Sequence, residues 1–219
     1  MTFPVKALLT TFTLTIAFVC TEAYQWNRLR MINVGVSPNH VMIVNGKTIS
    51  SRLDVLETIW PYSGCNYKAI YHLMDDAYVR EFANAILKMS MGGIYRGALE
   101  LNDGKVVDFE LCNSTCCYMS SPGRCSCTAH GGILVCLRER SFTVEVRDGL
   151  WEVKVQSAND YTDFCKKLAE VLGEHKMNVC ISAQRELPVK VLLSVARTLH
   201  SCGCRSFHFN VIGDTPKEK

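Results

Sequence analysis

The sequence predicts an α+β fold: two ββαβαβ units, each with two helices packed on one sheet face, joined by a cysteine-rich insert. Three observations predict it. Strand-like and helix-like apolar periods follow one another in the same order twice along the chain. Residues 67–101 and 177–211 align without a gap at a constant offset of 110. Between the two blocks lies a stretch, 102–140, that is rich in cysteine and poor in apolar residues.

The first unit spans 28–101. Met31 to Val36 alternates as a strand, and Ser37-Pro38-Asn39-His40 turns the chain into a second strand, Val41 to Val44, ended by Asn45-Gly46. Ser50 or Ser51 can cap a helix whose apolar face is expected to be Leu53, Leu56 and Trp60, with Pro61 and Gly64 stopping it. Tyr67 to Leu73 is a strand. Asp75 and Asp76 are expected to open the next helix, in whose first turn negative charge suits the macrodipole. That helix carries Val79, Phe82, Ala83, Ile86 and Met89 on one face and closes at Gly92-Gly93. Ile94 to Leu101 is the last strand.

The second unit spans 141–213. Phe142 to Arg147 and Leu150 to Val155 read as a hairpin across Asp148-Gly149. A helix from about Asn159 faces Phe164, Leu168, Val171 and Leu172 inward, and Met177 to Ala183 is a strand. Pro188 is expected at the first position of a helix with Val189, Leu192, Leu193, Ala196 and Leu199 buried. Gly203 ends it, and Ser206 to Ile212 closes the unit. Residues 214–219 form a polar tail. Only Val79 with Val189 and Gly93 with Gly203 are identical at the 110-residue offset; the shared order of elements and the matched helix-ending glycines carry the repeat.

The N-terminus points to export. Lys6 is the one charge before the apolar run Ala7 to Cys20, and the small residues Thr21 and Ala23 follow at the positions a signal peptidase reads. As a helix, the run rises about 21 Å, short of a hydrocarbon core of about 30 Å. Residues 1–23 are thus expected to be a signal peptide cleaved after Ala23, or an N-terminal anchor; attachment of lipid at Cys20 is disfavoured by Val19 before it.

The chain has 219 residues, 48% of them apolar, and a formal charge of +3. That is enough to bury a core and too little positive charge to imply nucleic acid, since no block of basic residues exists. Twelve cysteines suit an oxidising compartment. The insert spacing, C-x3-C-C-x7-C-x-C-x8-C with His130 nearby, lacks the paired C-x2-C knuckles of common zinc sites. Disulfides are the simpler reading, with Cys65, Cys112, Cys116, Cys117, Cys125, Cys127, Cys136, Cys165, Cys180, Cys202 and Cys204 as candidates. Metal binding and thiol redox chemistry remain the alternatives. If Cys20 leaves with a signal peptide, an odd eleven remain, which requires a free thiol or an intermolecular bridge. Cys202-Gly203-Cys204 sits at a helix C-terminus, where the dipole disfavours a thiolate, so a structural role is expected. His40, His72, His130, His175, His200 and His208 show no ligand spacing. No G-x-S-x-G, phosphate-binding glycine loop or H-E-x-x-H is present. No catalytic residue, metal site or cofactor is expected. Asn113-Ser114-Thr115 fits the N-glycosylation sequon.

VMIVNGKTISSRLDVLETI (41–59), followed by YKAIYHLMDDAYVREFANAILKMSMGG (67–93) and MNVCISAQRELPVKVLLSVARTLHSCG (177–203), resembles the periplasmic domain of the ExbD/TolR family of biopolymer-transport proteins. The Leu187-Pro188 pair and the Cys202-Gly203 ending stand closest to the family pattern. The resemblance implies a small α/β domain in the periplasm or cell envelope that binds envelope proteins or peptidoglycan. Sheet edges in such units can pair with another chain, which makes a homodimer a candidate assembly. In the family, an Asp inside the membrane span takes part in proton-driven coupling. Ala7 to Cys20 contains no Asp or Glu, so the resemblance does not extend to that role. A non-enzymatic envelope module is therefore expected. The alternatives are a disulfide-rich secreted interaction protein, or a thiol- or metal-binding protein that uses the central cysteines.

Overall fold

The computed structural model of the chain describes residues 30–62, 67–111, 132–139, 141–147, 153–158, 161–174 and 178–212. Among the described residues, eleven strands form a single mixed sheet, and four α-helices pack on it. The strands are β1 (Arg30–Val36), β2 (Met42–Val44), β3 (Lys47–Ile49), β4 (Tyr67–Leu73), β5 (Arg96–Glu100), β6 (Val106–Leu111), β7 (Gly132–Arg138), β8 (Ser141–Arg147), β9 (Val153–Ala158), β10 (Val179–Gln184) and β11 (Ser206–Ile212). The helices are α1 (Arg52–Ile59), α2 (Val79–Met91), α3 (Tyr161–Glu174) and α4 (Val189–Ser201).

Strand order is β3-β2-β1-β4-β5-β6-β11-β10-β7-β8-β9. Apart from β6, the order is palindromic. β1, β4 and β5 are parallel, as are β7, β10 and β11. β6 lies between the two sets, antiparallel to β5 and parallel to β11. The two parallel sets therefore run in opposite directions, as a two-fold axis normal to the sheet would arrange them. α1 packs on α2, α2 on α4 and α4 on α3, so the helices form one continuous layer.

Hydrogen bonds repeat at the 110-residue offset. Ala77 N donates to Met74 O, and Leu187 N to Gln184 O. Gly92, Gly93 and Ile94 close α2 by donating to Lys88, Ser90 and Met89; Cys202, Gly203 and Cys204 close α4 by donating to Thr198, His200 and Leu199. Gly93 and Gly203 adopt φ of 84° and 86°, the left-handed conformation that glycine supplies without steric cost.

Several sequence expectations change. Each half begins with three antiparallel strands rather than two, because Asn45 and Gly46, with φ of 47° and 85°, form a tight hairpin that leads into β3. The stretch expected as an insert holds two segments with strand character, Val106 to Leu111 and Gly132 to Leu137, and these form as β6 and β7; what changes is their place, since β7 pairs with β10 deep in the sheet. Its residues Gly132 to Leu137 are buried on both faces, so periodicity alone gave no sign of its central place.

The expected stripe of α1 also shifts. Leu53 and Trp60 are exposed, and Val55 and Ile59 are buried instead. Ile59 presses against Gly92, where an added Cβ would come within 2.2 Å of Ile59 Cγ2. Asp75 and Asp76 lie in the turn ahead of α2, and Glu81 is the acid of its first turn. Pro188 is the N-cap of α4 rather than its first residue, with ψ of 136°.

The core at the seam is aromatic. Phe109 of β6 contacts the rings of Tyr71, Phe82, Phe207 and Phe209 at centroid distances of 5.5–6.2 Å. Room for Phe109 comes from Gly97, its partner on β5, where a Cβ would lie 2.4 Å from the ring. Burial pushes the Tyr71 hydroxyl well above the ordinary phenol range. Among the described residues, no helix is long and apolar enough to cross a membrane.

Candidate functional site

A groove of about 790 Å³ runs along α2. Arg80, Ala83, Asn84 and Leu87 form one wall, since the spacing i, i+3, i+4, i+7 places them on a single helix face. Arg185 and Glu186, which follow β10, form the other. The C-terminal ends of β6 and β11 supply the floor through Leu111, Phe209 and Val211. The groove thus joins elements from both halves of the chain.

Its polar end is built around Glu81, which is 3% exposed. Glu81 Oε2 accepts from the Tyr78 backbone N–H at 2.9 Å, and Oε1 accepts from Arg80 Nε at 2.9 Å. The carboxylate is therefore held as a helix cap and is paired as it is buried. That hydrogen bond, together with the negative charge of Glu81, raises the pKa of the Arg80 guanidinium, and Glu186 adds to the effect. His40 Nδ1 lies 3.9 Å from Glu81 Oε1 and accepts from Asn84 Nδ2 at 3.1 Å.

His40 reaches this place from the β1–β2 turn, where it and Asn39 both hold φ of 62°. A left-handed conformation at a non-glycine residue costs about 1–2 kcal/mol, and it directs the turn toward α2. Glu186 differs from Glu81. Its Oε2 is buried and has no hydrogen-bond partner among the described residues. A buried carboxylate oxygen left in this way favours an incoming donor. The groove thus offers a bound segment a carboxylate acceptor together with the guanidinium groups of Arg80 and Arg185, with an apolar strip at Ala83 and Leu87.

Sequence reasoning assigned none of these residues to a site: His40 shows no ligand spacing, and Ala83, expected on the buried face of α2, is half-buried and lines the groove while Ala85 is buried instead. Faint signals existed: Glu81 stands three residues after Tyr78, as the acid of a capping box does, and Arg185-Glu186 immediately precede Leu187-Pro188. The convergence of His40, Glu81 and Glu186 depends on three separate loops and helices, which periodicity does not link.

The sequence candidates are scattered by comparison. Ala23, Cys65, Cys112, Cys116, Cys117, Cys125 and Cys127 lie outside the described residues, as do His130 and the sequon at 113–115. Cys136 and Cys180 are buried in neighbouring strands β7 and β10. Cys165 of α3 is half-buried, and Cys202 and Cys204 are exposed and half-buried at the end of α4; these three carry free thiols. Burial pushes the thiols of Cys165 and Cys204 up, the opposite of what a nucleophilic thiol requires. Among the described residues, no three His, Cys, Asp or Glu side chains gather as metal ligands do.

A second polar ribbon crosses the sheet face away from the helices. His72 contacts Glu100 through Nδ1 and Asn33 Oδ1 through Nε2, the latter at 3.1 Å, and Lys68 pairs with Asp108. These groups satisfy one another across β1, β4, β5 and β6 rather than enclosing a space.

No protein-family model matches the chain, and no curated protein matches it.

Proposed function

We propose that the chain is a non-enzymatic module of the cell envelope, a component of an ExbD/TolR-like biopolymer-transport system, that holds a partner protein or cell-wall strand in the groove along α2. The observation that carries this reading is the chemistry of the groove. Glu81, buried behind the lining residue Arg80, is committed to capping α2 and to Arg80. The groups left for a ligand are an unpartnered oxygen of Glu186, the guanidinium groups of Arg80, Arg96 and Arg185, the Glu110 carboxylate and an apolar strip. Such a lining suits recognition of an extended segment.

The ExbD/TolR-like reading, with two copies of one unit, is supported by the repeat of backbone hydrogen bonds at the 110-residue offset and by the palindromic strand order. An envelope location is supported by the Lys6 and Ala7–Cys20 pattern. The sheet ends in β3 and β9, and pairing of such edges is the route to a homodimer.

A photo-crosslinking amino acid at position 84, expressed in the native envelope, tests the reading. A discrete adduct with a protein or with peptidoglycan is expected, and it should vanish when Ala83→Trp fills the groove. Adducts that persist with Ala83→Trp, or their absence from a folded protein, would sink the proposal.

A further inference from the structure

β1, β4 and β5 are parallel, so their first residues lie at one end of the sheet. The chain enters β4 and β5 from the C-terminal ends of α1 and α2, which therefore lie at that end too. Large apolar side chains are exposed there: Trp60 at 60%, Leu87 at 60%, Met91 at 44% and Tyr95 at 69%. Arg30 stands beside them, with its guanidinium 5.9 Å from the centre of the Tyr67 ring.

The fold does not require apolar residues at these positions. At the 110-residue offset, Leu87, Met91 and Tyr95 correspond to Arg197, Ser201 and Arg205, which are also exposed. The same helix end is polar in the second half and apolar in the first. The first half is also the one joined to the apolar run Ala7–Cys20. The nine residues 21–29 between that run and β1 extend to at most about 30 Å. Exposed Trp and Tyr beside Arg are the side chains that settle at a membrane–water interface, where aromatic rings sit at headgroup level and cations meet anionic lipid.

We infer that this end of the first half docks on the surface of a phospholipid bilayer containing anionic lipid, with Trp60, Leu87, Met91 and Tyr95 in the interface. The docked end lies where the groove along α2 opens between Leu87 and Tyr95, so a bound partner would be held close to the membrane. The inference rests on the envelope location proposed above and not on what fills the groove.

Trp60 reports the docking directly. In the full chain carrying Trp26→Phe and Trp151→Phe it is the single tryptophan. The protein is mixed with phosphatidylcholine–phosphatidylglycerol vesicles whose acyl chains carry bromine. Insertion of about 5–10 Å brings Trp60 within quenching range, and an approximately twofold loss of emission is expected. Leu87→Ser, Met91→Ser and Tyr95→Ser together should abolish the loss, whereas Met74→Ser, at an exposed site at the other end of β4, should leave it. Should the triple variant fail to fold by circular dichroism, Tyr95→Ser alone, outside any helix, should reduce the loss. Unquenched Trp60, the result if this face instead meets a protein, overturns the inference. So does quenching that survives the serine variants, which would mean that the N-terminal run alone brings the domain to the lipid. Crosslinking at position 84 is read separately, so failure of the groove proposal and failure of this one are distinguishable.

Discussion

Tyr78 and Pro188 face each other across an antiparallel bridge, and the backbone around them closes a reciprocal pair of hydrogen bonds. Val79 N donates to Leu187 O and Val189 N donates to Ala77 O, both at 2.9 Å. The residues are related by the same offset of 110, so the bridge lies where the pseudo-two-fold axis passes. It also ties the start of α2 to the start of α4, the two helices nearest the seam. If this contact is part of the cooperative core, the Val79 and Val189 amides exchange slowly and at similar rates, matching the central strands β4 and β10. Hydrogen-exchange NMR checks this; fast exchange at either amide would mean that the halves open independently.

Phe109 is the hub of the aromatic seam, and it comes from the stretch that composition marks as an insert. Phe109→Ala is expected to cost about 3–5 kcal/mol, the range for a large buried aromatic. Gly97→Val, which drives a side chain into the Phe109 ring, is expected to cost about 1–3 kcal/mol by overpacking. Urea denaturation measures both. For the same reason, deletion of 102–140 removes β6 and β7 together, and the remaining chain should fail to fold; a cooperative unfolding transition in that deletion would contradict the sheet order.

Gly203 has open space around its Cα and a φ of 86°. Gly203→Ala should therefore destabilise through backbone conformation alone, by about 1–2 kcal/mol, and Gly203→Asn by less, because Asn tolerates the left-handed region. Gly92 presents the contrary case: its φ of −81° suits any residue, but Ile59 occupies the space. Because Ile59→Ala removes the clashing Cγ2, Gly92→Ala and Ile59→Ala together should cost less than the sum of the two single substitutions, as thermal unfolding would show.

Asp54 accepts from the backbone N–H of Ser51 at 2.8 Å and of Ser50 at 3.0 Å, and from the Ser50 hydroxyl at 2.9 Å. These bonds, that from Ser51 N–H foremost, hold its carboxyl far below the usual carboxylate range. The unfolded chain therefore takes up the proton first. The stability that Asp54 contributes is present above a pH of about 4 and is lost as pH falls through the folded value. Asp54→Asn should lower stability at neutral pH and flatten its decline in acid. Melting curves from neutral pH into acid test this; an unchanged acid slope in the variant would remove Asp54 from the account.

Local structure was legible wherever one residue type answers one backbone need. Ser51 caps α1, Asn45-Gly46 forms the tight turn, Gly93 and Gly203 end α2 and α4, and the stripes of α3, α4 and, but for Ala83, α2 were set by their period. The stripe of α1 was misplaced because an eight-residue helix gives too few turns for apolar spacing to select one face, and Trp60 lies beyond its end. The groove was illegible, since Glu81, His40 and Glu186 carry no shared spacing and meet only once β10, α2 and the β1–β2 turn are assembled.

The amino-acid sequence by itself determined the mixed α+β class, most of the strands and helices and the glycine ends of α2 and α4, because turns, caps and amphipathic periods are satisfied within a few neighbouring residues. Only the tertiary structure decided that the halves share one sheet, that β6 stands between them and β7 within the second, and that Trp60 faces outward. Those outcomes depend on which strand edge pairs with which and on where Gly97 and Gly92 leave room for Phe109 and Ile59. Such contacts join residues far apart in the chain, and no local pattern encodes them.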